Sequence, residues 1–411
     1  MSRLHIDRRA LLASGLASGL ALGFLGAGVR AAEPTAGRKL VVVICRGGMD
    51  GLSVAPPIGD PEYEGLRRTI AIPGDAALKL DTTFGLHPAL AGMHALALKG
   101  EARIVPALAS PDRARSHFEA QDVLETGAPG VYSTDSGWLN RAVQAMNGGR
   151  KVEALSVGAT APLILRGPAQ AGSWSPGGAW DGSPRLPGLL MDLYAADPLL
   201  GPAFARGLET EAMAATATAG IRVPGGGDRQ GGGVQGLVRQ GQSAARGIGR
   251  VVAGFMTQPA GPQVVALSAD GFDTHANQGA AQGQLANRLL YLDALAEGLR
   301  EGLAGEWSNT IVVFATEFGR TARVNGTNGT DHGTASAGLL LGGALKKGGI
   351  VGDWPTLKAA SLYEGRDLRP TVDSRALFKG LLADHLGVDR RTLDTSVFPD
   401  SAGVAPVTGL A

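Results

Sequence analysis

The chain alternates between short, nearly continuous apolar runs and longer segments in which apolar residues recur every three or four positions. The run at 39–45, Lys-Leu-Val-Val-Val-Ile-Cys, is stopped by Arg46-Gly47-Gly48. A β-branched run without in–out alternation belongs in the middle of a parallel sheet covered on both faces. Comparable runs at 102–108, 152–157, 263–268 and 310–316 predict further strands, and a strand-like run precedes the glycine-rich turn at 342–349. Between them, 87–99 carries Leu90, Met93, Leu96 and Ala97 on one helical face. A second helix is expected over 117–125. A third spans 285–303, with Leu285, Leu289, Leu292, Leu295 and Leu299 on one side. Strands alternating with helices indicate βαβ units and an α/β fold.

The amino terminus has a different pattern. Arg8-Arg9 precede an uncharged apolar run at 10–29, followed by Arg30, Ala31 and Ala32. A basic start, a soft apolar stretch and small residues at its end predict a twin-arginine signal peptide over 1–31, cleaved after Ala31. Glycines at 15, 19, 23, 26 and 28 argue against a membrane anchor, and no other stretch nears ~18 consecutive apolar residues. The expected product is periplasmic or secreted, with no membrane span after cleavage and the twin-arginine translocase as its partner during export. Residues 38–411 are read as one α/β domain. Within it, 214–243 turns from Ala/Thr-rich to Gly-rich and reads as a flexible surface loop or a boundary, and 171–185 reads as an irregular loop. The 38 Lys and Arg against 37 Asp and Glu give no basic face for nucleic acid. Cys45 is the single cysteine, which excludes an internal disulfide.

Five polar clusters stand at or shortly after predicted strands, where open α/β sheets bind ligands. Asp50, in Gly47-Gly48-Met49-Asp50-Gly51, is either a metal-binding carboxylate or a turn cap. Ser116 and Glu119 have capping-box spacing, yet a hydroxyl at a helix start also suits a phosphate or sulfate. His117 is a ligand, a base or a packed helix residue. Asp273 and His275, two apart, share one side of an extended segment and suit a divalent cation; the alternative is a loop-closing hydrogen bond between them. Glu317 is a candidate ligand and Arg320 a candidate anion binder, unless they pair with each other. Asp331 and His332 face opposite ways in extended chain and serve two ions, or an ion and a partner. His87, His94 and His385 read as structural. There is no G-x-S-x-G elbow, phosphate-binding P-loop or H-E-x-x-H helix.

Together, Arg46-Gly47-Gly48-Met49-Asp50-Gly51-Leu52, Ser116-His117-Phe118-Glu119-Ala120-Gln121-Asp122, Gly271-Phe272-Asp273-Thr274-His275, Glu317-Phe318-Gly319-Arg320-Thr321 and Gly329-Thr330-Asp331-His332-Gly333 resemble the DUF1501 family. That family is grouped with the alkaline phosphatase and sulfatase superfamily. The resemblance implies a three-layer α/β/α sandwich with a mostly parallel, alkaline phosphatase-like sheet, and one or two divalent ions (Zn, Mn, Ca or Mg). It further implies Asp50, Asp273, His275, Glu317, Asp331 and His332 as metal ligands and Ser116 as nucleophile, with His117 and Arg320 beside it. The expected activity is metal-dependent hydrolysis of a small anionic phosphate or sulfate ester. The alternative is a non-catalytic periplasmic binding or assembly protein that keeps the fold.

Overall fold

A computed structural model of the chain describes residues 37–146, 153–158, 161–176, 186–221 and 233–411. Gly37–Ala411 form one compact unit. The segment read as a signal, 1–31, lies outside the described residues. The fold is α/β with a mostly parallel central sheet.

Nine strands build that sheet: β1 (Lys39–Cys45), β2 (Ala102–Ala109), β3 (Ala154–Val157), β4 (Ala171–Trp174), β5 (Val264–Ala269), β6 (Thr310–Ala315), β7 (Ser336–Leu341), β8 (Gly349–Ile350) and β9 (Val372–Asp373). Their order is β8-β2-β7-β6-β1-β5-β3-β4, with β9 also paired to β2. β7 runs antiparallel to both neighbours, and the other pairings are parallel. The main helices are α1 (Ala91–Ala97), α2 (His117–Thr126), α3 (Trp138–Met146), α4 (Leu200–Ala217), α5 (Gly233–Met256), α6 (Gln284–Leu303) and α7 (Ser374–Leu386).

The continuous apolar strands follow from burial on both faces. In β1, Val41, Val43 and Cys45 enter one core with Met93 of α1, Phe255 of α5 and Leu289 of α6. Leu40, Val42 and Ile44 enter a second core with Leu124 of α2, Trp138 of α3 and Phe378 of α7. Successive side chains of a strand point to opposite faces, so two cores sharing one strand make a three-layer sandwich. No helix among the described residues is long and apolar enough to cross a membrane.

Two segments differ from the expectation. β4 lies in the stretch read as irregular. Its Ala-Gly-Ser-Trp sequence has little strand propensity, and pairing with β3 supplies the order. Residues 214–217 finish α4 and 233–243 open α5, so the loop reading fails on both flanks; 222–232 lie outside the described residues. Glycine costs about 1 kcal/mol in a helix interior, but here it permits contact between helix backbones. A Cβ on Gly249 would strike the carbonyl of Leu295, and one on Gly298 that of Arg246.

His385 is buried in α7, its Nε2 donating to the Lys39 carbonyl at 2.9 Å. Burial pushes its pKa down to about 4, against the pull of that hydrogen bond. The unfolded chain takes up the proton first as pH falls. The stability this group contributes is therefore complete above the unfolded value of 6.5 and is lost towards about 4. Denaturant titrations should show a loss on the order of 3 kcal/mol across that window, absent from His385→Gln; a parallel decline in the variant would assign the acid sensitivity elsewhere.

The topology brings the five clusters to one edge. β1, β5 and β6 are mutually parallel, with Cys45 opposite Ala269 and Ile44 opposite Ala315. β2 shares their direction because β7, antiparallel to both β2 and β6, lies between them. The carboxyl ends of four strands therefore coincide with the amino end of β7. The segments after β1, β2, β5 and β6 and the segment before β7 all meet there.

Candidate metal centre

At this edge, His117, Asp273 and His332 offer ligand atoms that all lie within 4.8 Å of one another. Asp273 is the focus. Its Oδ2 stands 3.5 Å from His117 Nε2, and its Oδ1 lies 3.0 Å from His275 Nε2 and 3.3 Å from His332 Nε2.

Each imidazole is anchored by its other nitrogen. His117 Nδ1 donates to Glu317 Oε1 at 2.8 Å. His275 Nδ1 donates to Asp331 Oδ1 at 3.2 Å. His332 Nδ1 donates to the Arg115 carbonyl at 2.9 Å. A carbonyl and ionised carboxylates only accept, so these contacts place the ring proton on Nδ1 and leave each Nε2 with its lone pair exposed. His275 Nε2 and His332 Nε2 then face each other at 3.0 Å, and the buried His117 Nε2 has no hydrogen-bond partner. Lone pairs gathered around a carboxylate repel unless a positive charge sits among them. Such anchoring is how proteins orient metal-binding histidines. Ligands ~2.0–2.1 Å from a tetrahedral zinc stand roughly 3.3 Å apart; His117 and His332 stand 3.5 and 3.3 Å from Asp273, and the three ligand atoms span no more than 4.8 Å, which a small closure would bring to that spacing. The residues present thus fit a nitrogen-favouring divalent cation.

The electrostatics agree. Burial raises the Asp273 carboxyl, but Arg320 and the imidazoles outweigh it and hold its pKa below the ordinary value. The Glu317 hydrogen bond raises the His117 pKa against burial, so a cation at Nε2 has to displace a proton more strongly held than usual. Burial holds His332 low, in the neutral form a ligand needs.

Several expected ligands stand elsewhere. Asp50 does not join the centre. It is buried in an ion pair with Arg67, and its Oδ2 also accepts from Ser53 at 2.8 Å and Gln278 at 2.7 Å. Glu317 stands behind His117, fully buried, accepting from Gly47 N at 2.8 Å, Gln121 at 3.2 Å and Thr316 at 2.9 Å. Burial raises its carboxyl, and the hydrogen bonds from His117, from backbone N–H groups and from Gln121 bring it back below the ordinary value. Asp331 reaches the centre only through His275. Arg320 is buried with its donors taken by Asp273 and by the carbonyls of Gly47, Gly48, Phe272 and Thr330. It fastens the loops together and has no face left for a substrate anion; it does not pair with Glu317.

Ser116 takes the N-cap position of α2, but its side chain makes no cap hydrogen bond. The capping box does not form, and the hydroxyl stays available between His117 and Arg115. Glycine makes the convergence possible. Gly47 has φ +113°, and a Cβ there would come within 2.6 Å of the Asp273 nitrogen.

Sequence reasoning missed four supporting residues. Arg115 has φ +57°, and its guanidinium pairs with buried Asp367 at 2.8 Å, which fixes the carbonyl that holds His332. Arg67 neutralises Asp50, and Gln278 donates a hydrogen bond to it. Arg115 sat beside a motif already singled out; Arg67, Gln278 and Asp367 carried no local signal.

Residues 73–397 match the family described as "Protein of unknown function (DUF1501)". No curated protein matches the sequence. Among solved structures, the chain is similar to the zinc-complexed C-terminal periplasmic domain of EcEptC from Escherichia coli, at 10% identity over 74% of this chain and 72% of that one, with a TM-score of 0.34. It is similar to the PsFucS1 sulfatase from Pseudoalteromonas sp. at 10% identity, over 91% and 72%, TM-score 0.39. It is also similar to a phosphonate monoester hydrolase of Agrobacterium radiobacter at 11% identity, over 86% and 74%, TM-score 0.38.

Proposed function

This chain belongs to the DUF1501 family, and from the site its motifs assemble we propose that it is an exported, metal-dependent hydrolase of phosphate or sulfate esters. The observation that carries the reading is the set of three imidazoles, each held at Nδ1 with Nε2 turned towards Asp273. Two imidazole nitrogens and a carboxylate, with a third imidazole beside them, favour zinc over calcium or magnesium, which prefer oxygen. His117, Asp273 and His332 would hold the ion, with His275 beside them on Asp273 and with Glu317 orienting the His117 ring. When bound, such an ion supplies positive charge against the ester oxygens and the attacking oxygen.

The chain's own groups supply the rest. Ser116 offers its uncapped hydroxyl at the start of α2, where unpaired backbone N–H groups attract an oxyanion. Its oxygen bonds to phosphorus or sulfur as the bond to the ester alcohol breaks. The alcohol leaves with a proton, and water then releases the acid. Arg320 and Glu317 keep Asp273 and His117 aimed throughout.

Elemental analysis and assays on 4-nitrophenyl phosphate and sulfate test this. We expect one zinc per chain and turnover of at least one ester, with Ser116→Ala keeping the zinc and losing the turnover. Undiminished activity in Ser116→Ala removes the nucleophile. A zinc-loaded wild type inert on both esters sinks the hydrolase, and an empty site in protein isolated from the periplasm favours the binding-protein alternative.

A further inference from the structure

Beside the metal centre lies a cavity of about 250 Å³ whose wall includes Leu66, Val324, Leu362, Arg323, Arg366 and Asp331. Asp331 belongs to both places, since it lines the cavity and its Oδ1 holds His275 Nδ1 at 3.2 Å. The cavity is therefore separated from His275 at the centre by one hydrogen-bonded side chain.

Its charge is unusual for a hollow this small. Two arginines line it. Arg366 is partly engaged, donating to the His332 carbonyl and lying 3.6 Å from Asp367. Arg323 is exposed, and its guanidinium makes no hydrogen bond or ion pair with the described residues. The one acid on the wall, Asp331, turns Oδ1 towards His275 and Asn325. A guanidinium without a partner beside an aliphatic wall is suited to a planar or tetrahedral oxyanion on an apolar stem.

We propose that this cavity binds a second anionic group of the substrate, carried on a short apolar stem, while the ester itself lies at the metal centre. This rests on the reading of that centre as ester-hydrolysing. Asp273, His275 and Asp331 are each roughly half exposed at the side chain (44%, 47% and 55%), so one molecule can lie across the rim from centre to cavity. Arg323, having no protein partner, forms its ion pair only when the ligand arrives. The selected substrates are thus monoesters bearing a second negative charge.

The test compares phenyl phosphate with 3-(2-carboxyethyl)phenyl phosphate on the zinc-loaded full chain. The carboxylate-bearing ester should be preferred by about tenfold to hundredfold, the worth of a charged hydrogen bond, with the gain in KM. Arg323→Gln should erase that preference and leave turnover of phenyl phosphate unchanged. Equal KM values in the wild type, or a preference that survives Arg323→Gln, overturn the proposal. Calorimetry with 3-phenylpropionate, which has no ester to cleave, separates this from the hydrolase reading. Binding to the wild type that is lost in Arg323→Gln supports the cavity even without turnover, and absence of binding to the wild type rejects it.

Discussion

His332→Ala protein is expected to bind zinc more than about a hundredfold more weakly than the wild type, and His117→Ala to do the same. Replacing a residue behind the ligands typically costs tenfold to hundredfold in metal affinity, and removing a donor nitrogen costs more. Glu317→Gln provides the contrast. It leaves both histidines in place but weakens the carboxylate that fixes the His117 tautomer, so a loss of about tenfold to hundredfold is expected. Competition against a chromogenic chelator reads all three. The ordering is the informative part: affinity intact in His332→Ala would mean the rings do not gather a cation, whereas a larger loss in Glu317→Gln than in His117→Ala would make Glu317 the ligand.

Arg67→Leu should destabilise the fold by about 3–5 kcal/mol, because it strands the buried Asp50 carboxylate without its counter-charge. Removing one partner of a buried pair is far more damaging than removing both. The double variant Arg67→Leu with Asp50→Asn should therefore recover most of the loss. Urea midpoints measure both. The same variants decide what Asp50 does. Asp50→Asn should hold zinc within a few-fold of the wild type, since the carboxylate faces Arg67, Ser53 and Gln278. A collapse of zinc affinity in Asp50→Asn, with stability preserved, would restore it as a ligand.

Much of the architecture was legible in the chain because burial on both faces leaves a plain mark. The runs at 39–45, 263–268 and 310–316 all fall on central strands, within a residue or two at their ends. β4 was not legible, since an edge strand of Ala, Gly, Ser and Trp takes its order from a neighbour. The opening of α5 was hidden because glycine reads locally as a breaker, while here it serves close helix packing. The site was half legible. Motif position after strands pointed to Asp273, His275 and His332, whose side chains lie side by side, and it flagged His117. It could not separate a carboxylate that reaches the centre from one that stands behind an imidazole. Glu317 and Asp331 have the chemistry of ligands, and only the direction of a ring decides otherwise. Nor could it foresee that Arg320 is consumed by backbone carbonyls, or that Asp50 meets Arg67.

The reversal of β7 gives the molecule a sidedness with practical weight. Because that strand runs against its neighbours, the connection entering it carries His332 close to its end, and the turn leaving it, from Gly342 onward, falls beside Ala102 and Thr310 at the remote end of the sheet. Chain length is thus constrained by the site on one side of the strand, and on the other only as far as the exposed Lys346–Lys347 tip. An inserted label at the exposed Lys346–Lys347 tip leaves the imidazoles where they are, whereas a single residue gained or lost between His332 and Ser336 swings the ring out of register.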